Sequence, residues 1–182
     1  MFTIGHSTLP IDVFLKILKD NGVEWLVDIR TIPKSRHNPQ FARDSLGQSL
    51  KDAQVEYRWQ KSLGGLRRPL KESINTGWRN SSFRGYADYM QTPEFTNAID
   101  ELLAVSAPAQ TVIMCAEAVP WRCHRSLVAD ALLVRGASVE DIYYDAKGHS
   151  RREPHALTSF AKVKGKKLWY PAEGELFVAV EE

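Results

Sequence analysis

The stretch TVIMCAEAVPWRCHRSLVADALLVRG, residues 111–136, holds a predicted buried strand and most of the chain's closely spaced reactive side chains. It opens with the apolar run Val112-Ile113-Met114, which is too short to span a membrane and predicts a buried strand. It closes with apolar residues at helical spacing, so a helix is predicted to follow. The reactive side chains between these two elements are Cys115, Glu117, Arg122, Cys123, His124 and Arg125. Because strand carboxyl ends and helix amino ends converge in open α/β folds, the pattern predicts a ligand site here.

The N-terminal part of the chain also alternates strand and helix. Residues 2–5 and 25–29 are predicted strands, and residues 11–18 between them place apolar side chains at helical spacing. The second strand is a near-continuous apolar run, which is typical of parallel sheets buried on both faces. We therefore expect an α/β fold: a single-domain, three-layer sandwich with a mainly parallel, Rossmann-like sheet. Further helices and strands are predicted at residues 41–53, 55–59, 83–91, 93–105 and 139–144.

Length and composition bound the organisation of the chain. With 182 residues, of which 43% are hydrophobic, it is long enough for one core and too short for two ordinary domains. We expect an α/β domain over residues 1–160 and a C-terminal extension, 161–182, packed on it. Segments 167–170 and 176–180 could form a hairpin. No signal peptide or long apolar run is indicated, which predicts a cytoplasmic protein, without a membrane partner, whose two cysteines are thiols.

Cys115 is the first candidate for a catalytic nucleophile. A thiol between a buried strand and a helix amino end, close to arginines, is expected to ionise easily. The alternative is a small apolar residue that ends a core strand, because free cysteines are often buried. Cys123 shares a predicted helix stripe with Leu127 and Ala131, which favours core packing over catalysis.

The arginines of the central stretch favour an anionic ligand. Arg125 lies in the first turn of the predicted helix, where the macrodipole disfavours a cation unless an anion is present. The alternative is an ion pair of Arg125 with Glu117 or Asp28. No glycine lies between Cys115 and Arg125, and Arg122 follows Cys115 by seven residues. The stretch therefore resembles neither a P-loop nor a Cys-x5-Arg phosphate loop.

Polar residues also follow the first two predicted strands. They are His6 and Ser7 after the first strand, and Asp28, Arg30, Ser35 and Arg36 after the second. If the strands are parallel, these loops open on the same edge of the sheet as Cys115. Either His6 or His124 would then transfer protons with Cys115. Glu117 or Asp28 would orient that histidine.

Two other kinds of site are compatible with the sequence. Soft metal ligands are available, but their Cys-x7-Cys-His spacing matches no zinc ribbon or finger, so we assign no metal and no cofactor. These ligands are Cys115, Cys123, His124 and His6. Segment 147–167 holds seven cations and one acid within a chain of net charge +2, as a solvated surface or a nucleic-acid patch would. The tryptophans that could stack on bases are Trp59, Trp78, Trp121 and Trp169.

Several separated motifs together resemble the DUF488 family of bacterial and archaeal proteins. They are TIGHS (3–7), VDIRTIPKSR (27–36), LGG (63–65), FRGYADYM (83–90), MCAEAVPWRCHR (114–125) and EPHALT (153–158). The resemblance implies a single α/β domain and a cytoplasmic location, but no activity. The positions that match the family pattern are His6, Ser7, Asp28, Arg30, Pro33, Ser35, Arg36, Gly64, Gly65, Tyr86, Cys115, Glu117, Cys123, His124 and Arg125.

The sequence thus favours an enzyme that binds an anionic, phosphate-bearing substrate, such as a nucleotide or nucleic acid, at the carboxyl edge of the sheet. The candidate catalytic residues are Cys115, His6, His124 and Glu117. The candidate substrate-binding residues are Ser7, Asp28, Arg30, Ser35, Arg36, Tyr86, Arg122 and Arg125. The alternatives are a non-catalytic nucleic-acid-binding module that uses segment 147–167 and a Cys/His metal site. No oligomeric state is predicted.

Overall fold

Strands and helices alternate along most of the chain, of which the computed structural model describes residues 1–172. The strands are β1 (Phe2–Gly5), β2 (Trp25–Asp28), β3 (Glu56–Trp59), β4 (Thr111–Cys115), β5 (Glu140–Tyr144), β6 (Ser150–Pro154), β7 (Lys162–Lys164) and β8 (Lys167–Trp169). The α-helices are α1 (Ile11–Asp20), α2 (Arg43–Asp52), α3 (Ser81–Tyr89), α4 (Pro93–Ser106) and α5 (Arg125–Val134).

Six of these strands form a central sheet in the order β3-β2-β4-β1-β5-β6. The neighbours from β3 to β5 pair in parallel, and β6 pairs antiparallel with β5. The register aligns Gly5 at the end of β1 with Cys115 at the end of β4, and Asp28 at the end of β2 with Met114. The carboxyl ends of the three central strands therefore meet at one edge of the sheet.

The helices cover both faces of the sheet and bury a core on each. On one face, α1 and α2 cover apolar side chains that include Leu26 and Met114. On the other face, α3, α4 and α5 cover side chains that include Val27 and Ile113. Because successive strand residues point to opposite faces, the apolar runs of β2 and β4 supply both cores. The predicted three-layer α/β sandwich with a mainly parallel sheet is confirmed.

Side-chain caps begin the two helices before β4. Asn80 Oδ1 accepts a hydrogen bond from Ser82 N at 2.8 Å and so caps α3, which begins slightly earlier than predicted. Thr92 Oγ1 accepts from Phe95 N at 3.3 Å and Pro93 takes the first position of α4. These helices carry the chain from β3 back to the middle of the sheet.

The helix after β4 begins later than its apolar spacing predicts. A 3₁₀ turn, Pro120–Arg122, separates β4 from α5, and His124 takes the N-cap position of the helix without a side-chain capping hydrogen bond. Cys123 has extended backbone, with φ −136° and ψ 141°, and lies outside α5. It is buried in the core, but the prediction that it shares a helix stripe with Leu127 is wrong. Its side chain is consequently free to face the end of β4.

The C-terminal segment is held on the core by β7 and β8. β8 forms the strand predicted near residues 167–170, but it pairs antiparallel with β7 across a turn at Gly165. Segment 176–180, the predicted partner, lies outside the described residues. Leu168 and Tyr170 are buried in the core beneath α3, α4 and α5. β6 was not predicted from the sequence.

Within residues 1–172, no helix combines the length and the apolar character needed to cross a bilayer.

Candidate functional site

The candidate site lies in the crevice between the carboxyl ends of β1 and β4. β1 leads into α1 on one face of the sheet, whereas its neighbour β4 leads into α5 on the other. Open α/β sheets bind ligands where adjacent connections diverge in this way. His6 N donates to Cys115 O at 3.0 Å and Ser7 N donates to Ala116 O at 2.8 Å, which ties the two loops together. Ser7 adopts a φ of 47°, in the left-handed region that few residues other than glycine enter.

A cavity of about 700 Å³ opens in this crevice, within the size range of small-molecule sites. The predicted site residues that line it are His6, Ser7, Arg30, Ser35, Cys115, Glu117, Arg122 and His124. The predicted residues that do not line it are Asp28, Arg36, Tyr86 and Arg125. Lining residues that were not predicted as ligand contacts include Thr31, Ile32, Lys34, Asn38, Gly65, Leu66, Phe83 and Cys123. Lys34 and Thr31 lie within the motif at 27–36, so they could have been predicted as lining residues from that motif.

Asp28 and Arg30 form a buried ion pair beside the cavity. Arg30 Nε and Nη2 donate to the two carboxylate oxygens of Asp28 at 2.8 and 2.5 Å. The backbone N–H of Arg30 and the hydroxyl of Tyr57 also donate to this carboxylate, at 3.1 and 2.8 Å. Asp28 therefore holds Arg30 in place from behind the cavity lining, to which it does not itself belong.

His6 is held in one protonation state by its neighbours. Arg30 Nη1 donates to His6 Nε2 at 3.2 Å, so the proton lies on Nδ1, which donates to Ser7 O at 2.8 Å. Burial, and then the positive charge of Arg30, lowers the pKa of His6 to about 4. The ring stacks on Phe41 with 4.1 Å between centroids. His6 is thus neutral, with one ring nitrogen on Arg30 and the other on Ser7 O, so it positions Arg30 at the cavity wall.

Two thiols and an imidazole meet at the cavity wall. His124 Nδ1 lies 3.9 Å from Cys115 Sγ and 3.8 Å from Cys123 Sγ, and all three atoms lie within 4.8 Å of one another. His124 Nε2 donates to Ile29 O at 3.2 Å, which leaves Nδ1 as an acceptor facing both sulfurs. We call these three side chains the sulfur–imidazole cluster. His6, the fourth soft ligand considered from the sequence, is not a member.

The two thiols differ in acidity because they hydrogen-bond to each other. The hydrogen bond to Cys123, followed by burial, raises the pKa of Cys115 well above its ordinary value. The hydrogen bond from Cys115 lowers the pKa of Cys123 against the effect of burial, and His124 adds to this lowering. The sequence had indicated Cys115 as the thiol that ionises easily.

Arg125 is fully buried and does not face the cavity. Its Nη1 donates to Glu117 O, and its Nη2 donates to Ala118 O at 2.7 Å. The guanidinium therefore holds the loop after β4 and turns away from the cavity in which Arg125 is predicted to bind an anionic substrate. Its partner at Glu117 is the backbone carbonyl, whereas the Glu117 carboxylate is exposed on the cavity wall.

Two further predicted ligands, Tyr86 and Arg36, lie outside the cavity lining. Tyr86 is fully buried, and its hydroxyl donates to Leu63 O at 2.9 Å. Its ring centroid lies 4.9 Å from that of His124, so Tyr86 supports the cluster from the core. Arg36 is exposed, and the same loop presents Lys34 to the cavity instead.

The cavity wall combines positive charge with apolar surface. Its cations Arg30, Lys34 and Arg122 outnumber its acid, Glu117, among the described residues. Since Asp28 balances Arg30, the cations exposed to an incoming anion are Lys34 and Arg122. Leu66 lines the same cavity and leaves 73% of its surface exposed. The wall therefore suits a ligand that has both an anionic and an apolar part.

The basic segment 147–167 lies away from this cavity, on β6, β7 and their connections. Its seven cations are exposed, and Arg151 pairs with Glu153 at 2.8 Å. Trp78 packs among aromatic rings of the core and is not displayed on a surface. Trp121, which is 63% exposed, lies on the 3₁₀ turn beside the cavity. The segment thus supplies surface charge, and the predicted tryptophan next to it along the chain is Trp169, which ends β8 and is half-buried.

The comparisons with known proteins give a family and no activity. No curated protein and no solved structure matches the chain. A protein-family model described as Domain of unknown function DUF488 matches residues 10–132, which span α1 to α5 and include the loops after β2 and β4 that line the cavity. This match covers most of the chain and confirms the resemblance: the chain belongs to the DUF488 family.

Proposed function

We propose that the protein is an enzyme that binds an anionic, phosphate-bearing substrate in the cavity at the carboxyl edge of the sheet. The observation that carries the proposal is the meeting of exposed cations, Lys34 and Arg122, with the sulfur–imidazole cluster on one cavity wall. Enzyme sites place groups that hold a substrate beside groups that react with it. The cavity offers both, at the position where open α/β sheets bind ligands.

The apolar part of the wall narrows the class of substrate. Ile32, Leu66 and Phe83 line the same cavity as the cations. A nucleotide carries a phosphate that Lys34 and Arg122 can bind and a flat base that apolar side chains can cover. Nucleotides, free or within a nucleic acid, are therefore the substrate class that this wall fits best.

The roles of the reactive groups follow from their positions. Cys115 supplies sulfur at the end of a rigid strand, as a nucleophile or as a thiolate ligand, beside the thiol of Cys123. His124 directs Nδ1 at both sulfurs. Glu117 presents an exposed carboxylate to the cavity, where it can bind a water or a hydroxyl of the substrate. His6 acts through Arg30 as a positioning residue.

Calorimetric titration with inorganic pyrophosphate, AMP and ATP tests the binding part of the proposal. Lys34→Gln and Arg122→Gln are each expected to weaken binding by about tenfold or more, since a hydrogen bond to a charged group contributes about 1.5–3 kcal/mol. Lys19→Gln removes an exposed cation at the opposite edge of the sheet, on the last turn of α1, and is expected to bind as the wild type does. Equal affinity for all of these proteins would contradict the proposal.

Turnover tests the catalytic part. A panel of nucleotides and phosphate esters is screened with the wild-type protein, and any activity found is measured again in Cys115→Ser. We expect the serine variant to lose turnover and to keep the pyrophosphate affinity of the wild type, because Lys34 and Arg122 remain. Full activity in Cys115→Ser would show that the Cys115 sulfur takes no part in the reaction.

A nucleic-acid-binding module is the second candidate, supported by the exposed cations of segment 147–167. Affinity for a single-stranded oligonucleotide is measured against salt concentration in the wild type, Lys166→Gln and Lys167→Gln. Each variant is expected to reduce the slope of log affinity against log salt by about 1. Affinity that does not fall with salt argues against this candidate. Affinity reduced only by Lys34→Gln and Arg122→Gln assigns the binding to the cavity.

A further inference from the structure

We infer that the sulfur–imidazole cluster is a three-ligand site for a divalent transition metal ion of the zinc class, bound by Cys115 Sγ, Cys123 Sγ and His124 Nδ1. Metal binding stands on the geometry of the cluster alone. Only the use of the ion in catalysis rests on the proposed function. If the ion is used in catalysis, Cys115 acts as a thiolate ligand of the metal and not as a nucleophile.

The distances within the cluster are close to those of a tetrahedral metal site. Zinc binds sulfur at about 2.3 Å and nitrogen at about 2.0–2.1 Å, so the sulfur-to-nitrogen edge of a tetrahedron is about 3.6 Å. The corresponding distances from His124 Nδ1 are 3.9 Å to Cys115 Sγ and 3.8 Å to Cys123 Sγ. Movements of a few tenths of an ångström would therefore bring His124 Nδ1 to the tetrahedral distance from each sulfur, and the two sulfurs, which lie within 4.8 Å of each other, would close on the same ion.

His124 is oriented as metal-ligating histidines are. Its Nε2 donates to Ile29 O at 3.2 Å, which fixes the tautomer and leaves the Nδ1 lone pair to face the sulfurs. The ring is also confined on two sides: Tyr86 lies behind it, and a Cβ added at Gly65 would meet His124 Cγ at 2.7 Å. Cys115 ends a central strand and His124 stands at the first position before α5, so two of the ligands adjoin regular elements before an ion binds.

The donor set and its charge suit a soft or borderline divalent ion. Thiolate and imidazole ligands select zinc, iron and copper over magnesium and calcium. Two thiolates would neutralise a divalent ion, so the buried site would carry no net charge when it is filled. Magnesium and calcium prefer carboxylate and carbonyl oxygens, which the cluster does not offer among its three donors.

The site has three protein ligands among the described residues, and all three line the cavity. Structural zinc sites are closed by four protein ligands, whereas catalytic sites keep one position for water or substrate. His6, which lines the same cavity, already uses both ring nitrogens on Arg30 and Ser7. The fourth position is thus reached from the cavity, where an ion would act as a Lewis acid on an oxygen of the substrate or of a water.

Elemental analysis and metal titration test the inference. The full chain is purified without chelator or affinity metal, its zinc, iron, copper and nickel contents are measured, and the metal-free protein is titrated with Zn²⁺ and Co²⁺. We expect one ion per chain, and a thiolate-to-cobalt charge-transfer absorption with Co²⁺. Cys115→Ser, Cys123→Ser and His124→Gln should each weaken Zn²⁺ binding by more than the roughly 10- to 100-fold that loss of an outer-shell partner costs.

The matched control is His149→Gln, which removes an exposed histidine that pairs with Asp145 outside the cavity. It is expected to bind Zn²⁺ as the wild type does. Circular dichroism of each variant checks that the fold is retained. The inference is overturned if the wild type binds less than one ion per chain, if the three cluster variants bind as tightly as His149→Gln, or if the purified protein contains a Cys115–Cys123 disulfide that excludes the ion.

Pyrophosphate binding separates this inference from the proposed function. Suppose that the protein binds one Zn²⁺ per chain through the cluster, but that Lys34→Gln and Arg122→Gln do not change the pyrophosphate affinity. This result would support the metal site and contradict the proposed substrate. The reverse result, with charge-dependent pyrophosphate binding and no stoichiometric metal, leaves the cavity as a binding site and removes the metal.

Discussion

Arg30 and Asp28 share a bidentate ion pair, with Nε and Nη2 of the guanidinium 2.8 and 2.5 Å from the two carboxylate oxygens. Asp28 is fully buried and the Arg30 side chain is 6% exposed, so water has little access to either charge. The pair fixes the guanidinium that in turn fixes His6 at the cavity wall.

Asp28→Ala is therefore expected to destabilise the protein by about 3–5 kcal/mol, because it leaves the charge of Arg30 buried without a partner. Chemical denaturation measures the free energy of unfolding. Asp20→Ala breaks an exposed pair with Lys16 and should cost about 1 kcal/mol or less. Similar losses for the two variants would show that the Asp28 pair is not effectively buried.

Asp88 holds the irregular segment between residues 64 and 80, part of which lines the cavity. Its carboxylate accepts hydrogen bonds from Leu70 N at 2.9 Å, Ser73 Oγ at 2.6 Å and Asn75 Nδ2 at 2.8 Å. Asp88→Ala leaves these donors without their acceptor, at a cost of about 1–3 kcal/mol for each donor that stays buried. We expect faster cleavage by trypsin within this segment, after Arg67 or Lys71, since Pro69 protects the bond after Arg68.

Limited proteolysis under native conditions, followed by mass spectrometry of the fragments, makes this measurement. Asp12→Ala removes an exposed acid from the first turn of α1 and should leave the cleavage pattern unchanged. If Asp88→Ala and Asp12→Ala are cut equally slowly, the carboxylate of Asp88 does not hold the segment.

The fold was predictable because its sequence signals are local. The apolar runs of β2 and β4 and the apolar spacing of α1 identify a strand or a helix without knowledge of the rest of the chain. Parallel pairing then brings the loops after β1, β2 and β4 to one edge, which the sequence also indicated. β6 was missed because its Ser150–Pro154 segment is polar and mostly exposed, so it lacks the apolar alternation that identifies a strand.

The site was only partly predictable, because sequence spacing does not say which way a side chain turns. Arg125 was placed correctly at the start of α5, but it turns inward to two backbone carbonyls and not into the cavity. Cys123 was assigned to a helix that begins after it, since the turn begun by Pro120 delays the helix. His6 Nε2 accepts a hydrogen bond from Arg30, and only the folded chain brings these two residues together.

His155 lies between two buried carboxylates that attach the C-terminal segment to the core. Its Nδ1 is 2.7 Å from Asp141 and its Nε2 is 3.1 Å from Asp130, which also accepts from the Tyr170 hydroxyl at 2.8 Å. Burial alone would lower the pKa of His155, but the hydrogen bonds to Asp130 and Asp141 outweigh it and raise the pKa from 6.5 to about 9. The folded state therefore binds this proton more tightly than the unfolded state does.

The stabilisation by His155 should be complete below pH 6.5 and should be lost as the pH rises through about 9. After allowance for solvent screening, we expect a loss on the order of 2 kcal/mol. The free energy of unfolding is measured at several pH values in the wild type and in His155→Gln. Their difference should shrink toward high pH, and a difference that stays constant from pH 6 to pH 10 would contradict the assigned protonation.

Gly65 is required by the close approach of the His124 ring. A Cβ at this position would meet His124 Cγ at 2.7 Å, which is closer than side chains approach one another, so Gly65→Ala must displace the ring. We expect the variant to weaken Zn²⁺ binding to the sulfur–imidazole cluster by at least about 10-fold, the lower end of the cost of disturbing an outer shell.

Gly47→Ala is the matched control, because its added Cβ meets only Tyr57 Cδ1 at an ordinary 3.6 Å. Gly47 lies within α2, where replacing glycine with alanine is expected to stabilise the helix by about 0.5–1 kcal/mol. Zinc titration should therefore show weaker Zn²⁺ binding in Gly65→Ala and wild-type binding in Gly47→Ala. Thermal denaturation should show a raised midpoint in Gly47→Ala. Wild-type zinc affinity in Gly65→Ala would show that the ring can move without loss of the ion, and so that His124 is not a required ligand.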